Sequence, residues 1–264
     1  MDDQIVWITG ASSGIGRALA YEYSRLGWKL ILTSRREEKL EEVKRSCEGG
    51  ENRVCVLPAD LSDLAGIPLL VSKAEACFGR IDLLINNAGR SQRSLVSETG
   101  MDVYEELLRL DVLSTIAMTK GVLPGMTSRK KGHIAVVSSI AGKFGAPLRS
   151  GYSAAKFSLH GFYDSLRNEV WEHNISVSII VPAFVKTDIS INAATADGSS
   201  YGKMDQNQAE GDSPEKCARQ IVKKLKKKKR EFFVGMNGRA RLALFLSRYF
   251  PALLTRILRS ARPT

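Results

Sequence analysis

Seven short apolar runs, separated by longer stretches of helical periodicity, constrain the fold of this chain more than any other feature. The runs are nearly continuous in apolar residues, as strands buried on both faces are, and they lie at residues 4–9, 28–33, 53–58, 81–86, 132–138, 175–181 and 231–234. Helical patterns lie between them at 14–26, 36–46, 64–78, 103–123, 152–173 and 214–229. This alternation predicts an α/β fold with a doubly wound, seven-stranded parallel sheet in the order 3-2-1-4-5-6-7.

One domain accounts for most of the chain. A length of 264 residues, with 44% hydrophobic and 25% charged residues, is typical of a single α/β domain with a buried core. We predict a catalytic domain over residues 1–237 and an extension over 238–264. Residues 188–212 are rich in Ala, Asn, Gly, Ser and Asp and follow the sixth strand. Because ligands bind at the carboxyl ends of such strands, this loop is predicted to be a substrate lid.

A glycine-rich turn joins the first strand to the first helix, where residues 9–16 read Thr-Gly-Ala-Ser-Ser-Gly-Ile-Gly. Small residues let the backbone approach a pyrophosphate, and the free N–H groups of a helix N-terminus favour its negative charge. Glycine alone is weak evidence because any tight turn favours it. The position after an apolar strand nevertheless indicates a Rossmann fold, with the dinucleotide bound by Gly10, Ser12, Ser13, Gly14, Ile15 and Gly16.

The end of the second strand indicates which dinucleotide is bound. An acidic residue there would bind a ribose 2′-hydroxyl and repel a 2′-phosphate. The chain instead has Ser34, Arg35 and Arg36, whose hydroxyl and guanidinium groups suit a phosphate. The alternative is that both arginines are solvated residues at the start of a helix. We expect NADP(H) in preference to NAD(H).

Three polar residues suggest acid–base chemistry. Tyr152 and Lys156 are four residues apart on one helix face, and Ser139 follows the preceding strand. A free tyrosine, with a pKa of about 10, is a poor catalyst at neutral pH, whereas a nearby cation favours the phenolate. The pair by itself is common by chance. With the serine, it predicts that Tyr152 donates a proton, that Lys156 assists it and that Ser139 polarises a carbonyl.

Several motifs, in their order along the chain, resemble the short-chain dehydrogenase/reductases of standard length. They are the glycine turn, Pro-Ala-Asp-Leu at 58–61, Asn-Asn-Ala-Gly at 86–89, Ser139, Tyr152 with Lys156, and the segment 182–187. The similarity extends from the first strand to about residue 234. Within the family, segments 40–47 and 91–95 are most similar to the branch of dehydrogenase/reductase family member 7 and the 11β-hydroxysteroid dehydrogenases. The resemblance implies an oxidoreductase that moves a hydride between nicotinamide and a carbonyl or alcohol.

The resemblance also implies roles for individual residues. Lys156 would hold the nicotinamide ribose hydroxyls as well as assist Tyr152. Asp60 would face the adenine, while Leu61 and Asn87 would contact the nucleoside. The motifs place further cofactor contacts at Ala88, Gly89, Pro182, Val185 and Thr187, the last two with the carboxamide.

Two positions depart from the family pattern. The fourth catalytic residue of the family is an asparagine, which holds a helix kink and a water that relays protons, and Asp111 stands at its position. An ionised carboxylate only accepts hydrogen bonds, and its charge near Lys156 would partly offset the effect of the lysine on Tyr152. Alternatively, a raised pKa would keep Asp111 protonated. Ala183 replaces a glycine, and we expect a small effect from its methyl group.

Positive charge is concentrated at the C-terminus. Residues 214–264 contain 15 Lys and Arg against 2 Asp and Glu, in a chain of net charge +11. Residues 239–262 alternate arginines with apolar residues, and Pro251 is expected to kink or restart the helix. This amphipathic extension predicts either packing over the substrate pocket or another subunit, or peripheral contact with an anionic membrane. The lysine run at 223–230 has no aromatic residue for stacking, so nucleic-acid binding is not expected.

The remaining expectations concern thiols, location, partners and substrate. Four cysteines without CxxC pairing or ligand-like spacing predict reduced thiols, no metal site and a cytoplasmic location, with membrane association through the tail as a further option.

The resemblance implies a homodimer or homotetramer, formed through the helices at 103–123 and 152–173. The expected substrate is small and lipophilic: a steroid, a retinoid or a xenobiotic ketone. The alternative function is a cofactor-binding regulator or scaffold with weak catalysis and a tail that binds a membrane or partner.

Overall fold

A computed structural model describes residues 4–260 and contains the predicted parallel sheet. The strands pair in parallel in the order β3-β2-β1-β4-β5-β6-β7. This confirms the predicted doubly wound Rossmann fold. The strand bounds are Ile5–Thr9 (β1), Lys29–Thr33 (β2), Val54–Val56 (β3), Leu83–Asn86 (β4), Gly132–Val137 (β5), Ile175–Pro182 (β6) and Glu231–Val234 (β7).

Helices cover both faces of the sheet and explain why its central strands are apolar throughout. The bounds are Gly14–Arg25 (α1), Glu37–Arg45 (α2), Ile67–Phe78 (α3), Met101–Leu108 (α4), Ser114–Ser128 (α5), Ser150–Glu169 (α6), Gln206–Ala209 (α7), Pro214–Lys226 (α8), Gly238–Tyr249 (α9) and Pro251–Ser260 (α10). The buried sides of α1, α2 and α8 form one core with the sheet, and those of α3, α5 and α6 form the other. Two cores, one on each face, are the expected result of right-handed β-α-β crossovers.

The single helix predicted at 103–123 is interrupted. Between α4 and α5 lies a π-helical turn, Arg109–Leu113, which contains the buried Asp111. Helical periodicity does not reveal such a turn because the turn inserts one residue without ending the helix. Turns of this kind are frequent at functional sites, and this one directs Asp111 towards Lys156 on α6.

The segment after β6, residues 188–212, is an ordered loop that covers the carboxyl end of the sheet. Arg90 holds it through hydrogen bonds to the carbonyl oxygens of Asn192, at 3.1 Å, and Gly198, at 2.7 Å. Isolated bridges pair Gln92 with Ala194 and Val185 with Asp212. These contacts, together with backbone hydrogen bonds inside the segment such as Tyr201 N–H to the carbonyl oxygen of Ala193 and with the short helix α7, satisfy the backbone groups of a stretch without periodicity.

The C-terminal extension forms two helices, α9 and α10, which meet at Phe250 and Pro251. The restart at Pro251 agrees with the prediction for that proline. Ala240, Leu246 and Leu254 turn inwards and are buried. Within residues 4–260, no helix is both long enough and apolar enough to cross a membrane.

The expectation that all four thiols are reduced is wrong. Cys55 on β3 and Cys77 in the last turn of α3 form a disulfide, while Cys47 and Cys217 are free. The two bonded residues are separated by 22 positions in the chain, but α3 packs beside β3 and brings their Cα atoms within 6.3 Å. Sequence spacing contains no sign of this contact, because it depends on how the helix lies against the sheet edge.

Candidate active site

A cavity of about 880 Å³ lies at the carboxyl edge of the sheet and collects nearly all the predicted site residues. Gly16 and Asp111 do not line it. The residues that do are Gly10, Ser12, Ser13, Gly14, Ile15, Ser34, Arg35, Arg36, Asp60, Leu61, Asn87, Ala88, Gly89, Ser139, Tyr152, Lys156, Pro182, Val185 and Thr187. One cavity therefore contains both the predicted nucleotide-binding turn and the predicted acid–base residues.

Two positions of the glycine turn, Gly10 and Gly16, have no space for a Cβ atom. Gly10 has φ +64°, and a Cβ there would lie 2.9 Å from Cα of Ala88. A Cβ on Gly16 would collide with the carbonyl oxygen of Gly10. Gly16 thus lets α1 start close behind the turn, which points the free N–H groups of the helix into the cavity. The absence of side chains leaves a cradle that fits a pyrophosphate.

Asn87 fixes this turn to the next strand. Its Nδ2 donates to the carbonyl oxygens of Thr9 at 3.0 Å and Gly10 at 3.3 Å. The hydroxyl of Thr9 accepts the backbone N–H groups of Asn87 at 2.9 Å and Ala88 at 3.1 Å. These bonds use the side chain of Asn87 on the protein itself, so its role in the site is to shape the turn.

The end of β2 presents a group of donors to the same cavity. Nη2 of Arg36 donates to the hydroxyls of Ser12, at 3.1 Å, and Ser13, at 3.4 Å, and so reaches across to the glycine turn. The hydroxyl of Ser34 is buried and has no hydrogen-bond partner among residues 4–260. An orphaned hydroxyl in a cavity that Arg35 and Arg36 also line is a group that an anionic oxygen would satisfy, which fits a dinucleotide carrying an additional phosphate.

Asp60 and Leu61 line the cavity wall after β3. Asp60 Oδ1 accepts the hydroxyl of Ser62 at 2.7 Å and its backbone N–H at 2.9 Å. Partial burial favours the neutral acid, but these bonds and the charge of Arg35 hold the pKa of Asp60 below its ordinary value. Asp60 is therefore an ionised acceptor at neutral pH.

Tyr152, Lys156 and Ser139 line the same cavity. The ammonium of Lys156 lies 5.5 Å from the centre of the Tyr152 ring and donates to the carbonyl oxygen of Val137 at 3.2 Å. The hydroxyl of Ser139 accepts the N–H of Ala141 at 3.2 Å, which leaves its own proton free to donate to a substrate oxygen. The three residues predicted to carry the acid–base chemistry therefore line one cavity.

Ser138 has a different environment from Ser139. Its hydroxyl bonds to the carbonyl oxygen of Lys156 at 3.2 Å and to Nε2 of His160 at 2.9 Å. Nδ1 of His160 lies 3.2 Å from the carboxylate of Glu231. Because Ser138 is engaged in this network, Ser139 is the better candidate to polarise a carbonyl.

Asp111 lies directly beside Lys156. Its Oδ2 is 3.0 Å from Nζ of Lys156, and its Oδ1 accepts the backbone N–H of Arg90 at 2.8 Å. Both side chains of the ion pair are almost fully buried. Burial raises the pKa of Asp111 despite the lysine beside it. Burial alone would lower the pKa of Lys156, but the charges of Asp111 and Tyr152 raise it above its ordinary value.

Several charged residues of the cavity were not expected from the sequence, among them Arg93, Arg149 and Asp205. The carboxylate of Asp205 forms ion pairs with both Arg93 and Arg149. Two sequence signals were present: Arg93 lies in segment 91–95, which carries part of the family resemblance, and Arg149 lies three residues before Tyr152, about one helical turn away. The lining also includes Leu242, Leu246, Leu254, Ile257 and Leu258 of the C-terminal helices. The predicted packing of the extension over the pocket is thus present.

With this geometry established, the class of the protein follows from comparison with known families. A family model described as short chain dehydrogenase matches residues 4–198. The chain belongs to the short-chain dehydrogenase family and is an oxidoreductase acting on alcohol or carbonyl groups with a nicotinamide cofactor.

Individual relatives place it more closely. It is 40% identical over 254 residues to dehydrogenase/reductase SDR family protein 7-like of Drosophila melanogaster, covering 95% of this chain and 78% of the relative. It is 38% identical over 262 residues to dehydrogenase/reductase SDR family member 7B of Bos taurus, covering 97% and 80%. The predicted resemblance to the member 7 branch is confirmed.

Solved structures share the fold over nearly the whole chain. A short-chain dehydrogenase from Streptomyces avermitilis superimposes with a TM-score of 0.82 at 27% identity and 98% coverage of both chains. A metagenomic short-chain oxidoreductase in complex with NADP gives a TM-score of 0.70 at 26% identity, covering 88% of this chain and 96% of that one.

Proposed function

We propose that this protein is an NADP(H)-dependent oxidoreductase that interconverts a carbonyl and a secondary alcohol, with Tyr152 as general acid and base. The observation that carries the proposal is the single cavity that joins the glycine turn to Tyr152, Lys156 and Ser139. The bound nicotinamide would supply or accept the hydride. Tyr152 protonates the carbonyl oxygen in reduction, Ser139 polarises that oxygen, and the ammonium of Lys156 favours the phenolate that remains.

The experiment that tests this function is a screen of ketones and aldehydes that follows the absorbance of NADPH. The wild type is expected to oxidise NADPH with at least one class of substrate. Tyr152→Phe keeps the ring and removes the proton, so it should bind NADPH normally and lose most of the turnover, about a hundredfold or more. Turnover unchanged in Tyr152→Phe would refute the proposed role.

The preference for NADP(H) over NAD(H) is supported by the donors at the end of β2. Arg36 contacts Ser12 and Ser13, and the hydroxyl of Ser34 is unpaired within residues 4–260. The relative solved with NADP has the same fold. We expect Arg36→Ala to weaken NADPH binding about tenfold while changing NADH binding little, because charge-assisted hydrogen bonds to a 2′-phosphate are lost. Titrating both cofactors by fluorescence tests this expectation.

A lipophilic substrate, such as a steroid, a retinoid or a xenobiotic ketone, is supported by the apolar wall of the cavity. Phe144 and Phe184 line it together with the leucines of α9 and α10. Such a wall gains free energy by removing apolar surface of a ligand from water. Loop 188–212 also borders the cavity, and its proposed role is to close over the substrate as a lid.

A second candidate function, a cofactor-binding regulator with weak catalysis, is favoured by the ion pair of Lys156 with Asp111. The carboxylate partly neutralises the cation on which Tyr152 depends. Binding of NADPH without turnover across the carbonyl panel would favour this function over the first.

We also propose that the chain forms a homodimer or homotetramer. The outer sides of α4, the π turn and α6 expose Met101, Leu108, Leu113 and Phe157. A row of exposed apolar side chains on adjacent helices is more typical of an interface than of a monomer surface.

The outer side of the extension is proposed to contact an anionic membrane surface. Phe245, Tyr249, Phe250 and Leu253, here called the aromatic patch, are about half exposed and do not line the cavity. The exposed Arg241 and Arg248 lie on α9, and such arginines complement anionic headgroups.

A vesicle experiment tests this membrane contact. The wild type should sediment with vesicles of phosphatidylserine and phosphatidylcholine, and Phe245→Ser should reduce the sedimented fraction more than the control Leu69→Ser on α3. Equal sedimentation of both variants would contradict the proposal. Residues 261–264, which complete the predicted extension, lie outside the described residues.

A further inference from the structure

Three charged side chains in the cavity lie outside the group formed by Tyr152, Lys156 and Ser139. Arg93 follows β4, Arg149 precedes the first turn of α6, and Asp205 lies in the loop before α7. All three line the cavity, and here they are called the arginine–aspartate cluster. Their side chains are 3%, 18% and 9% exposed, so this is a buried cluster and not a surface ion pair.

One carboxylate oxygen serves both arginines. Oδ2 of Asp205 forms an ion pair with Nη2 of Arg93 and lies 3.3 Å from Nη2 of Arg149. Oδ1 of Asp205 is already used, because it accepts the backbone N–H of Asn207 at 2.9 Å and so caps α7. A single oxygen thus faces two guanidinium groups, each of which has five N–H donors.

The cluster therefore lacks a negative charge. It contains two guanidinium cations and one carboxylate, and Nε of Arg93 is buried with no hydrogen-bond partner among residues 4–260. Burial, with the charge of Arg149, lowers the pKa of Arg93 to about 10. Buried cations are stabilised by a partner of opposite charge, and an unpaired donor costs free energy unless a ligand satisfies it.

The uncompensated positive charge of the cluster lies near Tyr152, the residue proposed to exchange a proton with the substrate. Arg149 is one helical turn before Tyr152, close enough for the two side chains to interact electrostatically. The net charge of the cluster is +1, which matches a carboxylate. The charge of −2 on a phosphate dianion would exceed the +1 of the cluster.

We propose that Arg93 and Arg149 bind a carboxylate of the substrate, so that the preferred substrates are amphipathic carbonyl compounds with an apolar body and an acidic group. This inference rests on the proposed function and names its substrate class. The apolar wall from α9 and α10 contacts the body of the substrate, and the cluster orients its acidic end. Bidentate guanidinium–carboxylate hydrogen bonds supply the geometric specificity.

The test compares two probes that share one aromatic ketone, the anion 4-acetylbenzoate and its neutral methyl ester, whose added methyl group would favour binding to an apolar wall and so works against the expected result. Calorimetric titration into the NADPH complex of the wild type measures their dissociation constants, and NADPH absorbance measures turnover. The carboxylate is expected to bind about tenfold more tightly than the ester, the effect of charge-assisted hydrogen bonds that the ester does not make. Equal binding of the two probes, or no binding of the carboxylate, overturns the proposal.

Two variants should change the preference in opposite directions. Arg93→Gln removes one cation and should abolish the preference. Asp205→Asn keeps the oxygen that caps α7 but removes the competing charge, so the preference for the carboxylate should rise. A general loss of structure lowers the binding of both probes together and cannot produce these opposite changes. If Arg93→Gln does not fold, the direction of change in Asp205→Asn decides.

The two proposals fail separately. If NADPH is not oxidised with any carbonyl compound, the proposed function is contradicted. The ratio of the two dissociation constants would still test whether the cluster binds a carboxylate. Turnover with a binding ratio that neither variant changes would refute the cluster and leave the function in place.

Discussion

At the scale of single residues, the ion pair between Asp111 and Lys156 is the most consequential contact of the site. Lys156 Nζ lies 3.0 Å from Asp111 Oδ2, and the pair is removed from water. The carboxylate raises the pKa of the lysine against the effect of burial. It also offsets part of the positive potential that would otherwise act on Tyr152.

Asp111→Asn is expected to shift the pH dependence of alcohol oxidation to lower pH by about one unit. An uncharged amide leaves the ammonium uncompensated, and an uncompensated cation favours the phenolate that accepts the proton. The rate at neutral pH should rise for the same reason. Initial rates measured across pH for wild type and variant test this.

The matched control is Glu106→Gln, which removes a carboxylate that is bound to Arg90 at 2.9 Å but exposed to solvent. It should leave the pH profile unchanged. Identical profiles for Asp111→Asn and the wild type would show that the ion pair has no effect on Tyr152.

At the scale of elements, the packing of β5 against β6 places a histidine where protonation is unfavourable. Nε2 of His133 lies 2.8 Å from the hydroxyl of Ser178 on the neighbouring strand. Burial, with a smaller contribution from the charge of Lys228, lowers the pKa of His133 to about 4 from an ordinary 6.5. The fold therefore favours the neutral ring.

We predict that His133 makes the free energy of unfolding depend on pH between 6.5 and 4. Above 6.5 the ring is neutral in both states and its contribution is complete. As the pH falls, the unfolded chain binds a proton first, and stability decreases until the folded chain also binds one near pH 4. The loss should reach about 1–2 kcal/mol, reduced from the full linkage value because the ring is only partly buried.

Urea unfolding at pH 7 and pH 5 measures this loss. His133→Gln, which keeps a hydrogen bond to Ser178 but does not titrate, should lose less stability between the two pH values than the wild type. His173→Gln, in the turn Trp171–His173, is the matched control and should behave as the wild type. If His133→Gln loses as much free energy of unfolding between pH 7 and pH 5 as the wild type does, other groups cause the pH dependence.

At the scale of the whole molecule, two of the exposed apolar surfaces within residues 4–260 bear on assembly. One is on α4, the π turn and α6, and the other is the aromatic patch of α9 and α10. They lie on different elements, so one protein surface can form an oligomer while the other contacts a membrane. The proposed assembly thus leaves the extension free.

Phe157→Glu is predicted to lower the molar mass measured by light scattering after size exclusion. Phe157 is 45% exposed on α6, and a charge there would be buried without a partner in an oligomer. Leu69→Glu, at a position 61% exposed on α3, is the control and should leave the mass unchanged. If the wild-type protein itself has the molar mass of a monomer, the proposed oligomer interface is refuted.

Local patterns were sufficient for most of the fold and for the principal residues of the candidate site. Continuous apolar runs mark buried parallel strands, and the order of the sheet follows from right-handed crossovers. The glycine turn and the Tyr152–Lys156 pair are also local, because a strand-to-helix turn and a four-residue helical spacing bring their own atoms together. The observed bounds differ from the predicted ones mainly at element ends, where a few residues fray.

The tertiary structure decided the contacts between distant parts of the chain. Asp111 reaches Lys156 through a π turn, Asp205 meets Arg93 and Arg149, and a disulfide joins β3 to α3. The extension, for which the sequence left pocket packing and membrane contact open, lines the cavity with one side and exposes the other. Such contacts depend on how whole elements pack, and no spacing along the chain encodes them. The sequence alone therefore determined the sheet, the nucleotide turn and the tyrosine–lysine pair, whereas packing decided the charges around them.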